Sequence, residues 1–520
     1  MDKTTTVAQE CSTKTPVSSS LRRLLFGVGS SGVSQVIAAA QPIFLVPLFL
    51  RAWGAEGYGR WLVLTALVSY LSMLDLGGQN YIGNLLAIDH AQGNKDAFRE
   101  KLSEGVSLFV SIALVVLIIL IILLFGLMSS GVPVLGQALS AKERWIILFL
   151  GLNFLSSIPA GVYVSAYRAS GLFVRGTMLG NGLRVFHFAV STGLLYFSIS
   201  PFVYALVFFI AGVVGTIVIV WDSRRVMMAC RHIRIGLAEA KRGRKYLRGA
   251  LQFWLLALSN GLNQQGVLLT LALFASPAIV ALYATHRTAA GLIGYVGTVL
   301  QAPLWPELSF LWAQDRREEL HKVLLLAIRL VMLFSGVAAL LMWVLLPFIY
   351  PVWTGKQLQL QPVLFAIFLV QGALAAGWLT SGWCLLAANQ HRILARWSLA
   401  NAAVTIILSF LLAPKHGALG VAVATLSGDM LCGLLIYPKL VANTMRFNVW
   451  DVYRPMFLAM FLLCILVLIA LAGAKLMHGW QYCIFLLLAL AIWSIPALFV
   501  TLGPEFRNRL LLKFRLDHCE

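Results

Sequence analysis

Charged residues are scarce in this sequence. Only 12% of its 520 residues are Asp, Glu, Lys or Arg, whereas 60% are hydrophobic and the mean hydropathy is +0.86. A soluble domain has roughly 25% charged residues. The scarcity of charge excludes an ordinary soluble domain. Together with repeated long apolar runs, it predicts an all-α polytopic membrane protein.

The signatures of metal centres, disulfide scaffolds and common enzymes are also missing from the sequence. Its seven cysteines form no C-x-x-C pair and no other metal-ligand spacing. The sequence contains no P-loop, no H-E-x-x-H motif, no nucleophile elbow and no clustered pair of carboxylates. We therefore expect no metal, no cofactor and no enzymatic activity.

Positive charge is present in excess and is concentrated between two apolar runs. The chain has 40 Lys and Arg against 20 Asp and Glu, a net charge of +20. The densest segment, Trp221–Gly249, has only Asp222 and Glu239 as acids. Its basic residues are Arg224, Arg225, Arg231, Arg234, Lys241, Arg242, Arg244, Lys245 and Arg248. Basic loops between apolar spans lie on the cytoplasmic side, so we interpret this charge as a mark of orientation and not of nucleic-acid binding.

The apolar runs predict about fourteen membrane-spanning helices, each with the roughly 20 residues that a bilayer requires. Polar loops are expected at Asp89–Lys101 and Trp312–Lys322. The first span is too long for the core of a signal peptide, so we expect it to be retained. Both termini are expected in the cytoplasm, because most basic residues then fall on inner loops. The predicted helices are Leu24–Leu50, Tyr58–Asn80, Ser103–Met128, Arg144–Tyr167, Leu172–Phe197, Phe202–Trp221, Ala250–Ala275, Pro277–Leu304, Val323–Ile349, Leu360–Ala388, Ala395–Leu412, Gly417–Leu440, Pro455–Ala474 and Tyr482–Val500.

Three segments recur in the two halves of the chain at an offset of about 220–225 residues. WGAEGYGRWLV around Tyr58 matches SPAIVALYATHRTAA around Tyr283, and NLLAIDHAQGNKDAFREKL matches FLWAQDRREELHKVL. SAYRASGLFVRGTMLGN matches LAANQHRILARWSLAN, which pairs Asn181 with Asn401. Two six-helix repeats of equal orientation predict a pseudo-two-fold axis along the membrane normal, with a path between them. The expected domains are a cytoplasmic tail (1–20), an N-lobe (21–221), a basic cytoplasmic linker (222–249), a C-lobe (250–441), two further helices (442–502) and a cytoplasmic tail (503–520).

Three runs of the sequence resemble a known family. They are PLFLRAWGAEGYGRWLVLTALVSYLSMLDLGGQN (Pro47–Asn80), APLWPELSFLWAQDRREEL (Ala302–Leu320) and the segment Leu385–Thr425. They are similar to the polysaccharide flippases, the Wzx-type O-antigen and exopolysaccharide translocases of the multidrug/oligosaccharidyl-lipid/polysaccharide (MOP) exporter superfamily. The resemblance implies two six-helix lobes, a central cationic cavity and alternating access in the bacterial inner membrane. It further implies an undecaprenyl-diphosphate-linked saccharide as cargo, moved from the cytoplasmic to the periplasmic leaflet.

Two arginines near the predicted midplane are the first candidate binding residues. Arg184 lies in predicted helix five with His187 on the same face, and Arg287 lies in predicted helix eight beside His286. An arginine in the membrane interior is costly unless it faces water or an anion, and its planar fork suits phosphate oxygens. The alternative is that each arginine pairs with a buried carboxylate or with helix-end carbonyls. For the histidines, a hydrogen-bonded packing role is the alternative.

Amides and carboxylates supply the remaining candidates. Asn260 and Gln264 share a face of predicted helix seven, where they would bind sugar hydroxyls or join neighbouring helices. Asp75 and Asp429 lie within predicted spans and are candidates for coupling to protons or sodium. Asp75 lies near the inner end of its helix, where an ion pair with an inner-loop arginine is the favoured interpretation.

The sequence therefore predicts a flippase for a polyprenyl-diphosphate-linked oligosaccharide, with polymerase and glycosyltransferases of the same pathway as further partners. The alternative is an ion-coupled multidrug exporter on the same fold, which would favour carboxylates over arginines at the midplane. A scaffold of a glycan-assembly complex would tolerate loss of both arginines. A polymerase or ligase is disfavoured because the longest predicted outer loop, Ser129–Glu143, is short. A major facilitator fold is disfavoured because AIDHAQGNKDAFREK lacks the Gly- and Arg-rich pattern expected after helix two.

Overall fold

The computed structural model describes residues 17–71, 77–126, 139–301, 304–388 and 390–476, with a few residues between 481 and 492. The regular structure in these ranges is helical, and the chain is an all-α polytopic membrane protein. Seven stretches of the described residues are long and apolar enough to cross a membrane. The helices are α1 (Val17–Ser69), α2 (Gly78–Ala91), α3 (Lys95–Ile121), α4 (Ala141–Ala169), α5 (Phe173–Tyr196), α6 (Pro201–Val226), α7 (Leu237–Gly243), α8 (Leu247–Gly261), α9 (Val267–Phe274), α10 (Pro277–Gln301), α11 (Leu304–Ala313), α12 (Arg317–Trp353), α13 (Pro362–Ala387), α14 (His391–Gly428), α15 (Leu435–Met445) and α16 (Val449–Leu476).

Two long helices each contain a sharp glycine bend. Gly54 in α1 has φ 69° and Gly417 in α14 has φ 53°. This left-handed region is accessible to glycine at little cost. The bends separate predicted helices one and two in α1, and predicted helices eleven and twelve in α14. Each of these helices therefore contains a tight hairpin between two spans.

Predicted helix two is interrupted, which the predicted spans did not anticipate. α1 ends at Ser69, and predicted helix two continues as α2 after Gly77, whose φ is 67°. Hydropathy does not reveal this interruption because the residues on both sides of it are mostly apolar. Predicted helix eight corresponds to α10 over Pro277–Gln301.

The two predicted polar loops are largely helical. α3 begins within the first, because Asn94 Oδ1 accepts a hydrogen bond from Ala97 N at 3.0 Å and Asp96 lies in the first turn. Such N-caps and acidic first turns stabilise helix starts. α12 begins within the second, with Glu318 and Glu319 in its first turn. Charged residues end a membrane span but not a helix, so these helices extend into the aqueous phase.

The two halves of the chain meet where α1 packs against α10. Glu56 Oε2 accepts a hydrogen bond from Ala278 N at 3.0 Å. Beside it, the backbones approach so closely that a Cβ added to Gly59 would lie 1.7 Å from the carbonyl oxygen of Pro277. In the predicted topology this contact lies at the outer end of the helices. We refer to Glu56, Gly59, Pro277 and Ala278 as the outer contact.

The last helices follow the predicted pattern only in part within the described residues. α16 covers the predicted span Pro455–Ala474 and extends it at both ends. The predicted span Tyr482–Val500 lies almost wholly outside the described residues.

Candidate transport cavity

A cavity of about 810 Å³ lies in the C-terminal half of the chain. Its wall is formed mainly by α8, α10, α13 and α14, and Pro42 of α1 contributes from the N-terminal half. Predicted site residues from three separate helical segments meet there. Those that line the cavity are Arg287, Asn260, Gln264 and Asp429.

Two π-helical turns position cavity residues. Gln264 lies in the turn Leu262–Gly266, which follows α8, and Asp429 begins the turn Asp429–Leu434, which follows α14. A π-helical turn departs from the regular backbone ladder of the α-helix and is frequent at functional sites. Predicted helices seven and twelve are therefore irregular where they border the cavity.

Arg287 is half-buried in the cavity wall. Its Nη1 donates a hydrogen bond to the carbonyl oxygen of Gln264 at 2.9 Å, and its guanidinium lies 5.6 Å from the centre of the Tyr283 ring. Among the described residues, no carboxylate lies within ion-pair distance of Arg287. The carbonyl contact matches one of the structural alternatives for this arginine. It engages one of the guanidinium nitrogens, and within the described part of the chain the positive charge has no carboxylate partner.

Amide and hydroxyl side chains form most of the polar part of the wall. Asn260 and Gln264 are exposed to the cavity, as their shared helical face predicts. Asn263, Gln371 and Asn401 line it as well. Amides offer both donors and acceptors, so this wall is suited to polar, uncharged groups such as hydroxyls.

Asp429 is held by two of these amides. Its Oδ2 accepts a hydrogen bond from Gln371 Nε2 at 2.7 Å, and its Oδ1 accepts one from Asn401 Nδ2 at 2.8 Å. Gly428 packs tightly here, because a Cβ at that position would lie 2.1 Å from Thr405 Oγ1. The carboxylate thus joins three helical segments without a basic partner among the described ion pairs.

His286 occupies a different environment from its neighbour Arg287. It is fully buried, its Nδ1 donates to the carbonyl oxygen of Leu282 at 2.8 Å, and its Nε2 accepts a hydrogen bond from Gln361 N at 2.9 Å. Adjacent residues of a helix point in different directions, and here only Arg287 lines the cavity. The contacts of His286 are those of the packing alternative.

The candidates on α5 lie apart from this cavity wall. The side chain of Arg184 is exposed, and its carbonyl oxygen accepts a hydrogen bond from Gln41 Nε2 at 3.3 Å. Gln41 precedes the wall residue Pro42. His187 is half-buried with its ring 5.3 Å from that of Phe208. Arg287 therefore lines this cavity, and Arg184 is not among the residues of its wall. Asp75 lies outside the described residues.

The two wall residues that bind Asp429 were not predicted as site residues. Gln371 and Asn401 hold Asp429, although neither is charged. Asn401 carried a usable signal, because the repeat pairs it with Asn181. Asn181 is itself buried and accepts a hydrogen bond from Ser34 Oγ at 2.7 Å.

The fold is shared with known transporters. The lipid II flippase MurJ in an inward closed conformation has a TM-score of 0.67, with 13% identity over 91% of this chain and 98% of that chain. This is the fold of the MOP superfamily. An inward-facing multidrug resistance MATE transporter of that superfamily has a TM-score of 0.61, with 13% identity over 79% and 96%. The MATE multidrug transporter DinF-BH has a TM-score of 0.55, with 14% identity over 83% and 98%.

These identities are low, so the likeness shows the fold alone. No protein-family model matches the sequence, and no curated protein matches it. A flippase and multidrug transporters occur among the similar structures, so the shared fold does not choose between the two predicted functions. The choice depends on the residues of the cavity.

Proposed function

We propose that the protein is a flippase that moves a polyprenyl-diphosphate-linked oligosaccharide from the cytoplasmic to the periplasmic leaflet of the bacterial inner membrane by alternating access. The observation that carries the proposal is Arg287. Its charge has no carboxylate partner among the described residues, and it borders a polar cavity of about 810 Å³.

The chemistry of a diphosphate matches this arginine. Guanidinium groups bind phosphate oxygens in a bidentate manner, and the charge persists at any physiological pH. An unpaired arginine within a membrane is costly, and an anionic cargo compensates that cost. Arg184, whose side chain is exposed on α5, would bind the cargo in a second position as the two lobes move.

The amides of the wall suit the saccharide part of the cargo. Asn260, Asn263 and Gln264 line the cavity beside Arg287. They would donate to and accept from sugar hydroxyls, while the polyprenyl chain remains in the bilayer between helices. The proposal gives no transport role to His187 or His286.

Asp429 is the proposed coupling residue. It lies in the same cavity as Arg287 and is bound only by neutral amides among the described residues. A proton or a sodium ion would neutralise it, and the resulting change at the junction of three helical segments would be linked to lobe movement. Asp75 would take part in coupling or pair with an inner-loop arginine.

One observation favours the second candidate, an ion-coupled multidrug exporter. The buried carboxylate of Asp429 lines the cavity, and a carboxylate attracts cationic compounds. The two candidates differ in the sign of the charge that the cargo carries. Variants of Arg287 therefore separate them.

The proposal is tested in a strain that lacks the gene and carries the wild type, Arg287→Ala, Arg287→Lys or the control Arg99→Ala at matched expression. Arg99 is an exposed arginine of α3. Loss of one hydrogen bond to a charged group costs about 1.5–3 kcal/mol, so Arg287→Ala should lower export about tenfold to a hundredfold. Lysine should restore part of the surface polysaccharide, and Arg99→Ala should behave as wild type.

Other outcomes of this experiment would count against the proposal. Unchanged polysaccharide in both Arg287 variants removes this residue from the mechanism. If Arg184→Ala is tolerated as well, a scaffold role is supported. Loss of drug resistance with intact polysaccharide in the deletion strain would support the multidrug exporter.

A further inference from the structure

The basic linker, residues 222–249, is folded against α3. Glu104 of α3, which is 1% exposed, accepts a hydrogen bond from Tyr246 Oη at 2.5 Å and lies 3.3 Å from Arg242 Nε and 3.0 Å from Lys245 Nζ. Burial, reinforced by Glu104, raises the pKa of Tyr246 well above its usual range. Gly243 packs against the backbone of Glu104. These contacts therefore hold the linker against α3.

Backbone contacts fix the middle of the linker in the same way. Arg234 N and Gly236 N donate to Ser103 Oγ and Ser107 Oγ, each at 3.3 Å. Ser107 Oγ donates to the carbonyl oxygen of Arg234 at 3.2 Å. Because the backbone is bound to α3, the side chain of Arg234 faces away from it and is exposed.

The surface of the linker that faces away from α3 carries exposed cations and no exposed acid. All nine arginines and lysines of 222–249 are exposed. Its two acids are engaged: Asp222 is buried and paired with Arg175 at 2.6 Å, and Glu239 is paired with Arg242 at 3.2 Å. Lys241, Arg244 and Arg248 follow one another at the helical spacing of three and four residues, which places them on one face.

Apolar side chains are exposed among these cations. Leu237 is 84% exposed, Met228 78% and Ile235 53%. Trp221, at the end of α6, is 57% exposed, and the Arg225 guanidinium lies 5.3 Å from its ring centre. Apolar groups beside basic ones are unfavourable in water but are typical of segments that lie in the headgroup region of a membrane, where tryptophan is also enriched.

We propose that the basic linker binds anionic phospholipid headgroups of the adjacent leaflet, with Met228, Ile235 and Leu237 inserted at the boundary between headgroups and acyl chains. The charge of the surface selects anionic over zwitterionic lipid, and each basic residue near such a surface strengthens binding about fivefold. Insertion of the apolar side chains favours a leaflet over a water-soluble acidic protein. The proposal is independent of the transported cargo.

The test measures hydrogen exchange of the full chain in nanodiscs of phosphatidylcholine alone and in nanodiscs of phosphatidylcholine mixed with phosphatidylglycerol. Peptides that span 228–249 should exchange more slowly in the mixed nanodiscs at low salt, and high salt should reduce the difference. The variant Lys241→Gln/Arg244→Gln/Arg248→Gln should lose the difference, because three cations together account for about a hundredfold in binding.

A matched control removes the same charge elsewhere. Arg51→Gln/Lys142→Gln/Lys356→Gln neutralises three exposed cations on predicted outer loops and should keep the lipid-dependent difference. Leu237→Ser changes no charge and should lower the protection of 228–249 on its own. Exchange of α3 amides shows whether each variant keeps the fold.

Three results would overturn the proposal. The first is equal exchange of the wild type in the two kinds of nanodisc. The second is a lipid-dependent difference that survives in the neutralised variant. The third is protection that appears only when soluble cytoplasmic proteins are added, because it would assign the surface to a protein partner.

Discussion

Arg287 and Asp429 are the charged residues among the described residues that line the cavity. In the proposed mechanism, Arg287 binds the cargo and Asp429 links transport to an ion. Replacing Asp429 by Asn removes the charge but keeps one acceptor oxygen, so the bond to either Gln371 or Asn401 can persist. We expect Asp429→Asn to fold and to bind cargo but to lose its response to a proton or sodium gradient.

Transport by proteoliposomes with and without an imposed gradient checks this expectation. Asp96→Asn, the same chemical change at a side chain that is 93% exposed, is the control and should respond as wild type. A normal gradient response in Asp429→Asn would exclude Asp429 as the coupling residue.

Unlike Arg287 and Asp429, His286 is a predicted site residue whose contacts are structural. His286→Ala removes a fully buried side chain and leaves the N–H of Gln361 without its acceptor, which costs about 1–3 kcal/mol. We expect a lower midpoint of thermal unfolding with unchanged transport per folded molecule. Unchanged stability combined with lost transport would place His286 on the transport path.

The charged residues of the site were easier to predict than its neutral ones. Arg287 and Asp429 were identifiable because charge within an apolar run is costly and therefore conspicuous. Gln371 and Asn401 were not, since isolated amides in a span usually join helices. Periodicity predicts Arg287 near the midplane, but only the fold shows that Arg287 lines the cavity whereas its neighbour His286 and Arg184 do not.

We propose that alternating access depends on the outer contact. Glu56 of α1 binds the N-terminal end of α10, and the close approach of α1 to α10 requires a glycine at position 59. Gly59→Ala places a Cβ 1.7 Å from the carbonyl oxygen of Pro277, so we expect the halves to separate at this end. Spin labels at Arg51 and Val352, one in each half, should then lie farther apart than in the wild type.

Gly180→Ala is the matched control, because a Cβ at that position has no atom within 4 Å. It should leave the distance between the labels unchanged. If Gly59→Ala also leaves the distance unchanged, the outer contact does not hold the halves together.

Helix breaks explain where the predicted elements differed from the fold. The bend at Gly54 lies in the turn predicted between helices one and two, and the bend at Gly417 lies at the predicted start of helix twelve. The interruption of predicted helix two at Gly77 was not predicted, because the residues on both sides of it are mostly apolar.

At the level of the whole molecule, composition predicted the fold class and the resemblance to a known family predicted the fold. An all-α polytopic protein was predicted from the scarcity of charge, and the similar structures confirm the MOP fold that the motifs suggested. The cargo could not be predicted from the fold, because a flippase and multidrug transporters share it. The proposed cargo is inferred from a few side chains, chiefly Arg287.

The most direct test of the central claim uses proteoliposomes that contain a polyprenyl-diphosphate-linked oligosaccharide labelled with a fluorophore that a membrane-impermeant reductant bleaches. Wild-type protein should move the labelled lipid between leaflets, and Arg287→Ala should do so about tenfold to a hundredfold more slowly, with Arg287→Lys between them. The same liposomes should not accumulate a cationic dye. Dye accumulation without any movement of the labelled lipid would contradict the account.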